Sequence, residues 1–234
     1  MEPAITNLVM FDLDGTLVDS PRAIVETFTA AFASMNVEAR DASAIRATIG
    51  LPLEQAFGKL LGVPPDGAQV GLGVQRYGAL FKEIILPRAT ELVFPGVVDG
   101  LAALRAQGLT LTVATSKFHA SADALLKAAG IRDHFDMVVG ADQVRQPKPH
   151  PETGLMILEK FGVQASQAVL VGDTTHDLLM AKAAGVRSIA VTYGVHGFDE
   201  LKSAQPTWIA DTFNDVVECV RANVGSPRER DDTR

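Results

Sequence analysis

The chain has 234 residues, 47% of them hydrophobic, and a formal net charge of −7. That length allows one large domain, or one domain carrying a smaller insert, with enough apolar side chains for a real core. The acidic balance without a basic run argues against nucleic acid and anionic membranes as partners, and no stretch approaches the ~20 apolar residues of a spanning helix.

The first predicted element is the strand LVMF at 8–11, followed at once by two aspartates in the stretch MFDLDGTLVDS. Two carboxylates one residue apart at the end of a buried strand repel each other, and burying either is costly unless something compensates. A divalent cation would compensate. From about Pro21 to about Pro87 the strand pattern stops. The stretches AIVETFTAAFASM, LEQAFGKLLG and QVGLGVQRYGALFKEIIL have helical spacing, with PPDG at 64–67 as a turn. This predicts a helical insert between the first and second strands. Strands then alternate with helices: LTLTVAT at 109–115, MVVG at 137–140, AVLVGD at 168–173 and SIAVTYG at 188–194. Gly108, Gly130 and Gly185 fall where helix C-termini favour glycine. Trp208 and Cys219 read as packing residues near the last strand and helix. The tail SPRERDDTR, 226–234, is charged and without apolar anchors, which predicts disorder.

The alternation predicts an α/β fold, a doubly wound parallel sheet of Rossmann-like type with an inserted α-helical cap. The expected division is 1–20 and 88–225 as core and 21–87 as cap. Cys219 is the only cysteine, so no disulfide framework or cysteine metal site is possible. The N-terminal residues have no basic start, and their apolar run is too short for a signal peptide. A reducing, cytoplasmic setting is expected, as monomer or homodimer.

Ligands of such sheets bind outside the carboxyl ends of the strands. Asp12 and Asp14 follow the first strand, Thr115 and Ser116 the second, and Lys148 in QPKPHP lies beyond the third. Asp173 follows the fourth, with Asp177 four residues on; a helix starting near Thr174 would make Asp173 its N-cap. Asp12 and Asp173 can hold Mg²⁺, which needs only one or two carboxylates besides water or phosphate oxygens. An aspartate can attack phosphorus, and a second carboxylate can move the proton. Mg²⁺, Lys148 and Thr115 would balance the phosphoryl charge. Taken singly, each residue has a plainer reading: Asp173 and Asp177 as cap and solvated helix face, Lys148 as a surface lysine, Thr115 as a strand end. It is their order on one sheet that favours a site.

DLDGTLVDS at 12–20, Thr115–Ser116, Lys148 in KPHP and GDTTHD at 172–177 resemble the four motifs of the haloacid dehalogenase superfamily. The resemblance spans nearly the whole chain and is strongest to phosphoglycolate phosphatase-like enzymes. It implies Mg²⁺-dependent hydrolysis of a small phosphorylated metabolite through an aspartyl-phosphate. By the resemblance, Asp12 is the nucleophile and Asp14 the general acid/base. The metal ligands are Asp12, the backbone oxygen of Asp14, and Asp173, with Asp177 in support, and Thr115 and Lys148 hold the phosphate. The resemblance makes 2-phosphoglycolate the leading substrate, with pyrophosphate and sugar phosphates as rivals. A β-phosphoglucomutase-like phosphomutase, a phosphorylatable receiver and a non-catalytic binding module are further alternatives. Thr16, Ser116 (Asn in many relatives), Lys117 and Arg46 are candidate substrate contacts; Arg76 and Lys82 are weaker ones. His150, His176, His119 and His196 are read as supporting or surface groups.

Overall fold

The computed structural model describes residues 7–223, so the tail expected to be disordered lies outside the described residues. Six strands form one parallel sheet: β1 Leu8–Phe11, β2 Thr110–Ala114, β3 Met137–Val139, β4 Ala168–Gly172, β5 Arg187–Val191 and β6 Trp208–Ala210. Their order is β3-β2-β1-β4-β5-β6. The chain winds outward from β1 to β3, then returns to place β4 on the other side of β1, where Leu8 pairs with both Thr110 and Ala168. The crevice between β1 and β4 is therefore the switch point of the sheet.

All residues of β1 and β4 are buried. Their side chains alternate between two cores: Val9 and Phe11 join one apolar cluster, Leu8 and Met10 the other. Helices cover both faces, which is why these strands are uniformly apolar rather than alternating. After the sheet centre come α5 Val97–Ala106, α6 His119–Ala128, α7 Glu152–Phe161, α8 Thr175–Ala183, α9 Phe198–Ser203 and α10 Phe213–Arg221. Gly108, Gly130 and Gly185 have φ of 78°, 73° and 71°, the left-handed conformation expected after a helix. The strands are shorter than their apolar runs. Thr115, Gly140 and Asp173 stand one residue past β2, β3 and β4, in loops rather than in the sheet.

Four helices follow β1 before the chain returns to the core through α5: α1 Pro21–Ser34, α2 Ala42–Arg46, α3 Leu53–Leu61 and α4 Ala68–Ile84. The short α2 was not expected; Asp41 caps it by accepting from Ser43 N–H at 2.9 Å. In α1, Pro21 takes the first turn, where its missing N–H costs nothing. Ile24, Phe28, Ala31 and Phe32 then share its buried stripe. Phe28 meets Phe57 at 4.7 Å and Tyr77 at 4.9 Å between ring centroids, and Phe32 meets Phe57 at 5.6 Å. Gly73 in α4 allows this approach, since a Cβ there would lie 2.7 Å from the Phe57 ring. The two connections into and out of these helices run side by side. Val18 bridges Val93, Asp19 N–H donates to Leu92 O at 2.6 Å, and Phe94 N–H to Leu17 O at 3.1 Å. Among the described residues no helix is long and apolar enough to cross a membrane.

Candidate active site

β1 delivers Asp12 to the switch point, and its N–H continues the ladder by donating to Val171 O at 2.9 Å. β4 delivers Asp173 beside it. Lys148 arrives from the loop beyond β3, held at its base by Glu152. That carboxylate accepts from the N–H groups of Arg145 and Gln146, both at 2.9 Å. Lys148 Nζ then donates to Asp12 Oδ1 at 2.8 Å and to Asp177 Oδ1 at 2.5 Å. All four side chains are nearly withdrawn from solvent, with Asp173 at 0% and Lys148 at 5% exposure.

Oxygens of Asp12, Asp173 and Asp177 lie within 4.8 Å of one another. Three carboxylates therefore share a buried space with one ammonium group, and the imbalance shows in their acidities. Burial pushes the Asp12 carboxyl up to about 7, against the opposing pull of Lys148. Burial likewise raises Asp173 well above the usual carboxylate range, with Asp12 and Asp177 adding to it. Burial alone would lower Lys148, but the Asp12 and Asp177 charges outweigh it and hold the ammonium above its ordinary range. A hard divalent cation on oxygen ligands fits this donor set and would balance its charge.

Asp173 is boxed in by glycines. A Cβ at Gly15, whose φ is +88°, would lie 2.2 Å from Asp173 Oδ2; one at Gly194 would lie 2.3 Å from the same oxygen. Val195 N–H donates to Asp173 Oδ2 at 2.8 Å, and Thr16 Oγ1 to Asp173 Oδ1 at 2.9 Å. Thr16 is thus wholly buried on Asp173, where it orients the carboxylate; the expectation that it touches substrate is corrected. A second correction concerns α8. Its N-cap is Thr174, not Asp173. The N–H and hydroxyl of Thr174 both donate to Asp177 Oδ2, at 3.1 Å and 2.6 Å. Asp177 is therefore occupied on both oxygens, by Thr174 and by Lys148. The sheet needs Asp173 one residue earlier than a cap would stand, because β4 ends at Gly172.

Asp14 faces a different neighbourhood. Ser20 Oγ donates to Asp14 Oδ1 at 2.5 Å, and Lys117 Nζ pairs with Asp14 Oδ2 at 3.0 Å. Ser20 stands at the N-cap of α1 but makes no cap bond with its side chain, so its hydroxyl serves Asp14. Thr115 Oγ1 accepts from Lys117 N–H at 3.2 Å, which turns the loop after β2 towards Asp14. Ser116 Oγ is buried with no hydrogen-bond partner among the described residues.

Asp12, Asp14, Thr115, Ser116 and Lys117 form the floor of a cavity of about 100 Å³ whose walls come from α1, α3 and α4 and the loop between α2 and α3. The stretch 50–57 reaches it through Gly50, Leu51, Leu53 and Ala56. Arg46 does not line it; its guanidinium donates to Gly194 O at 3.2 Å and ties α2 to the loop after β5. Arg76 and Lys82 do not line it either. His196 Nδ1 accepts from Thr175 N–H at 3.2 Å and His150 Nδ1 from Glu152 N–H at 3.3 Å, while burial lowers His176, whose Nδ1 has no hydrogen-bond partner among the described residues. His119 opens α6. Residues the sequence reading missed are Gly15, Ser20, Glu152, Gly194 and Val195. Gly15 had a signal, the turn glycine in DGT; the other four act through contacts made only in the fold.

A family model described as haloacid dehalogenase-like hydrolase matches residues 9–191. A Dickeya dadantii protein named "Probable phosphatase IndB" is 55% identical over 215 residues, 92% of this chain and 94% of its own length. The phosphoglycolate phosphatase of Escherichia coli K12 is 33% identical over 227 residues, 89% of this chain and 90% of its own. Among solved structures, a haloacid dehalogenase-like family hydrolase from Streptococcus pneumoniae aligns with a TM-score of 0.78 at 30% identity, over 92% of this chain and 98% of that one. A β-phosphoglucomutase from Clostridium difficile also reaches 0.78, over 94% and 97% of the two chains, but at 18% identity that likeness is one of fold.

Proposed function

The chain belongs to the haloacid dehalogenase-like hydrolase family and is a phosphatase within it, and on that premise we propose Mg²⁺-dependent hydrolysis of a small phosphate monoester through an aspartyl-phosphate. The observation that carries the reading is the buried trio Asp12, Asp173 and Asp177 within 4.8 Å, facing the single ammonium of Lys148. Asp12 has one oxygen on Lys148 and, among the described residues, no hydrogen bond on the other, so it can attack phosphorus. As the ester P–O bond breaks, protonated Asp14 gives its proton to the leaving oxygen. Asp14, now a carboxylate held by Ser20 and Lys117, then takes a proton from water. That water attacks the phosphorus of the aspartyl-phosphate, releases inorganic phosphate and restores Asp12. Lys148 and Thr115 hold the transferring oxygens, and Asp177 keeps Lys148 aimed. Mg²⁺, held by Asp12, the Asp14 backbone oxygen and Asp173, would supply positive charge opposite the phosphoryl group. The helices of 21–87 act as a cap over the rest of the chain, with the paired connections at 17–19 and 92–94 as hinges. A reducing, cytoplasmic setting is part of the reading.

The test is inorganic phosphate release from simple alkyl phosphates. Release that requires Mg²⁺, stops with EDTA and matches the alcohol formed mole for mole is the expected result. A phosphomutase would instead pass the phosphoryl group to a second sugar phosphate. Turnover that is undiminished in EDTA would overturn the metal-dependent reading.

The acidity of Asp12 gives a second readout that needs no substrate. Without metal, the folded chain keeps a proton on Asp12 up to about 7, whereas an ordinary aspartate loses it near 3.8. Between those values the folded state binds more protons than the unfolded one, so this group's contribution to stability falls as pH rises. Mg²⁺ must displace that proton, so its affinity rises with pH up to about 7. The expected result is a larger increase in melting temperature on adding Mg²⁺ at pH ~8 than at pH ~5, where a ligand at about 100 times its Kd adds about 2.7 kcal/mol. An equal shift at both values would separate the metal from Asp12.

A further inference from the structure

The cavity over Asp12 and Asp14 has a charged floor and apolar walls. Ile24 and Phe28 of α1, Leu53 of α3, Val74 and Phe81 of α4, and Phe118 beside the floor face the space where the alcohol half of an ester would sit. Among the described residues that line it, Lys117 is the only cation. Its charge is already matched by Asp14 at 3.0 Å, and its ammonium lies 5.2 Å from the Phe81 ring centroid. Apart from Asp12 and Asp14 on the floor, the other polar side chains of the lining are hydroxyls. Thr48 is closed off by its own bond to Ile45 O at 2.7 Å, while Ser116 Oγ is buried without a partner among the described residues.

A substrate whose alcohol half carries a carboxylate would bring a second negative charge next to Asp14. Among the lining side chains its one cationic partner is Lys117, which the Asp14 carboxylate of the hydrolysis step also needs. Burying such a charge unpaired is far more costly than burying an apolar group of the same size. An uncharged apolar body meets none of this cost, and each methylene withdrawn from water adds about fourfold to binding.

Resting on the phosphatase reading above, we infer that this enzyme selects phosphate monoesters of uncharged, largely apolar alcohols of about one-ring size. That size is bounded by the cavity of about 100 Å³, whose floor must also hold the phosphoryl group. Carboxylate-bearing esters such as 2-phosphoglycolate are then poor substrates, even though relatives at 33% identity carry the name phosphoglycolate phosphatase.

The experiment compares kcat/KM for ethyl phosphate, 3-methylbutyl phosphate, benzyl phosphate and 2-phosphoglycolate, all aliphatic esters, with Mg²⁺ and the full chain. Ethyl phosphate reports the phosphoryl chemistry with almost no alcohol half. The expected order is benzyl and 3-methylbutyl at least tenfold above ethyl, and 2-phosphoglycolate below ethyl. The same series is run on Val74→Lys, which adds a cation to the wall. There the benzyl-to-phosphoglycolate ratio should fall at least tenfold. Turnover of ethyl phosphate with 2-phosphoglycolate preferred over the apolar esters, or a flat series, overturns the inference and leaves the phosphatase reading standing. No release from any of the four overturns both.

Discussion

Asp12→Asn is expected to abolish phosphate release, by about 10⁴-fold or more, as removal of a covalent nucleophile does. The amide keeps the shape of the side chain and an oxygen that can still accept from Lys148, which now stands 2.8 Å from Asp12 Oδ1. What it loses is the anionic oxygen that bonds to phosphorus. The same substitution takes one negative charge from a buried site in which Asp12 is already pushed up to about 7. The metal-free variant should therefore melt no lower than the parent at pH ~8, where the parent must carry that charge. Loss of turnover with stability kept separates a chemical role from a structural one. A variant that retained more than about a hundredth of the parent's kcat would remove Asp12 from the nucleophile's role.

Lys148→Met has the second large effect, and on both readouts. It leaves Asp12 Oδ1 and Asp177 Oδ1 buried without their shared counter-charge. Stranding a buried partner costs about 3–5 kcal/mol, which for a chain of this length lowers the melting temperature by roughly 10 °C. The cost should be greater at pH ~8 than at pH ~5. Burial has raised the pKa of both Asp12 and Asp173, so at the lower pH they take protons and shed the stranded charge. Turnover should fall at least 10²-fold, since the ammonium that holds the transferring oxygens is lost. Adding Asp177→Asn to Lys148→Met should recover part of the lost stability but none of the activity. A melting temperature within about 2 °C of the parent would show that the pairing contributes little.

The site was legible to different depths. Asp12 and Asp173 could be placed from the sequence because each follows a run of apolar residues, 8–11 and 168–172, that only a strand covered on both faces explains. Strand ends in such a sheet are ligand positions for reasons of topology alone. Lys148 was nameable only from its motif, since 136 residues separate it from Asp12. Its loop is held by Glu152, a residue that reads as an ordinary first-turn acid of α7. Thr16 and Arg46 were misplaced for one reason: a side chain's partner can be another part of the chain rather than a ligand. Thr16 has Asp173, 157 positions on, and Arg46 has the carbonyl of Gly194.

The sequence by itself determined the parallel sheet, the helical insert between its first two strands, and the carboxylates at its centre. All three follow from local patterns, the period of apolar residues and the residue types that end each run. Only the tertiary structure decided which carboxylates share a lysine, which hydroxyl supports Asp14, and what kind of wall stands over the phosphate. The helices of the insert show the reason. A buried stripe reads the same whether it meets other helices or an open cavity. Phe28 does both, packing 4.7 Å from Phe57 while lining the space above Asp12. Periodicity records that a side chain leaves water; only the packing of distant elements determines what it meets instead.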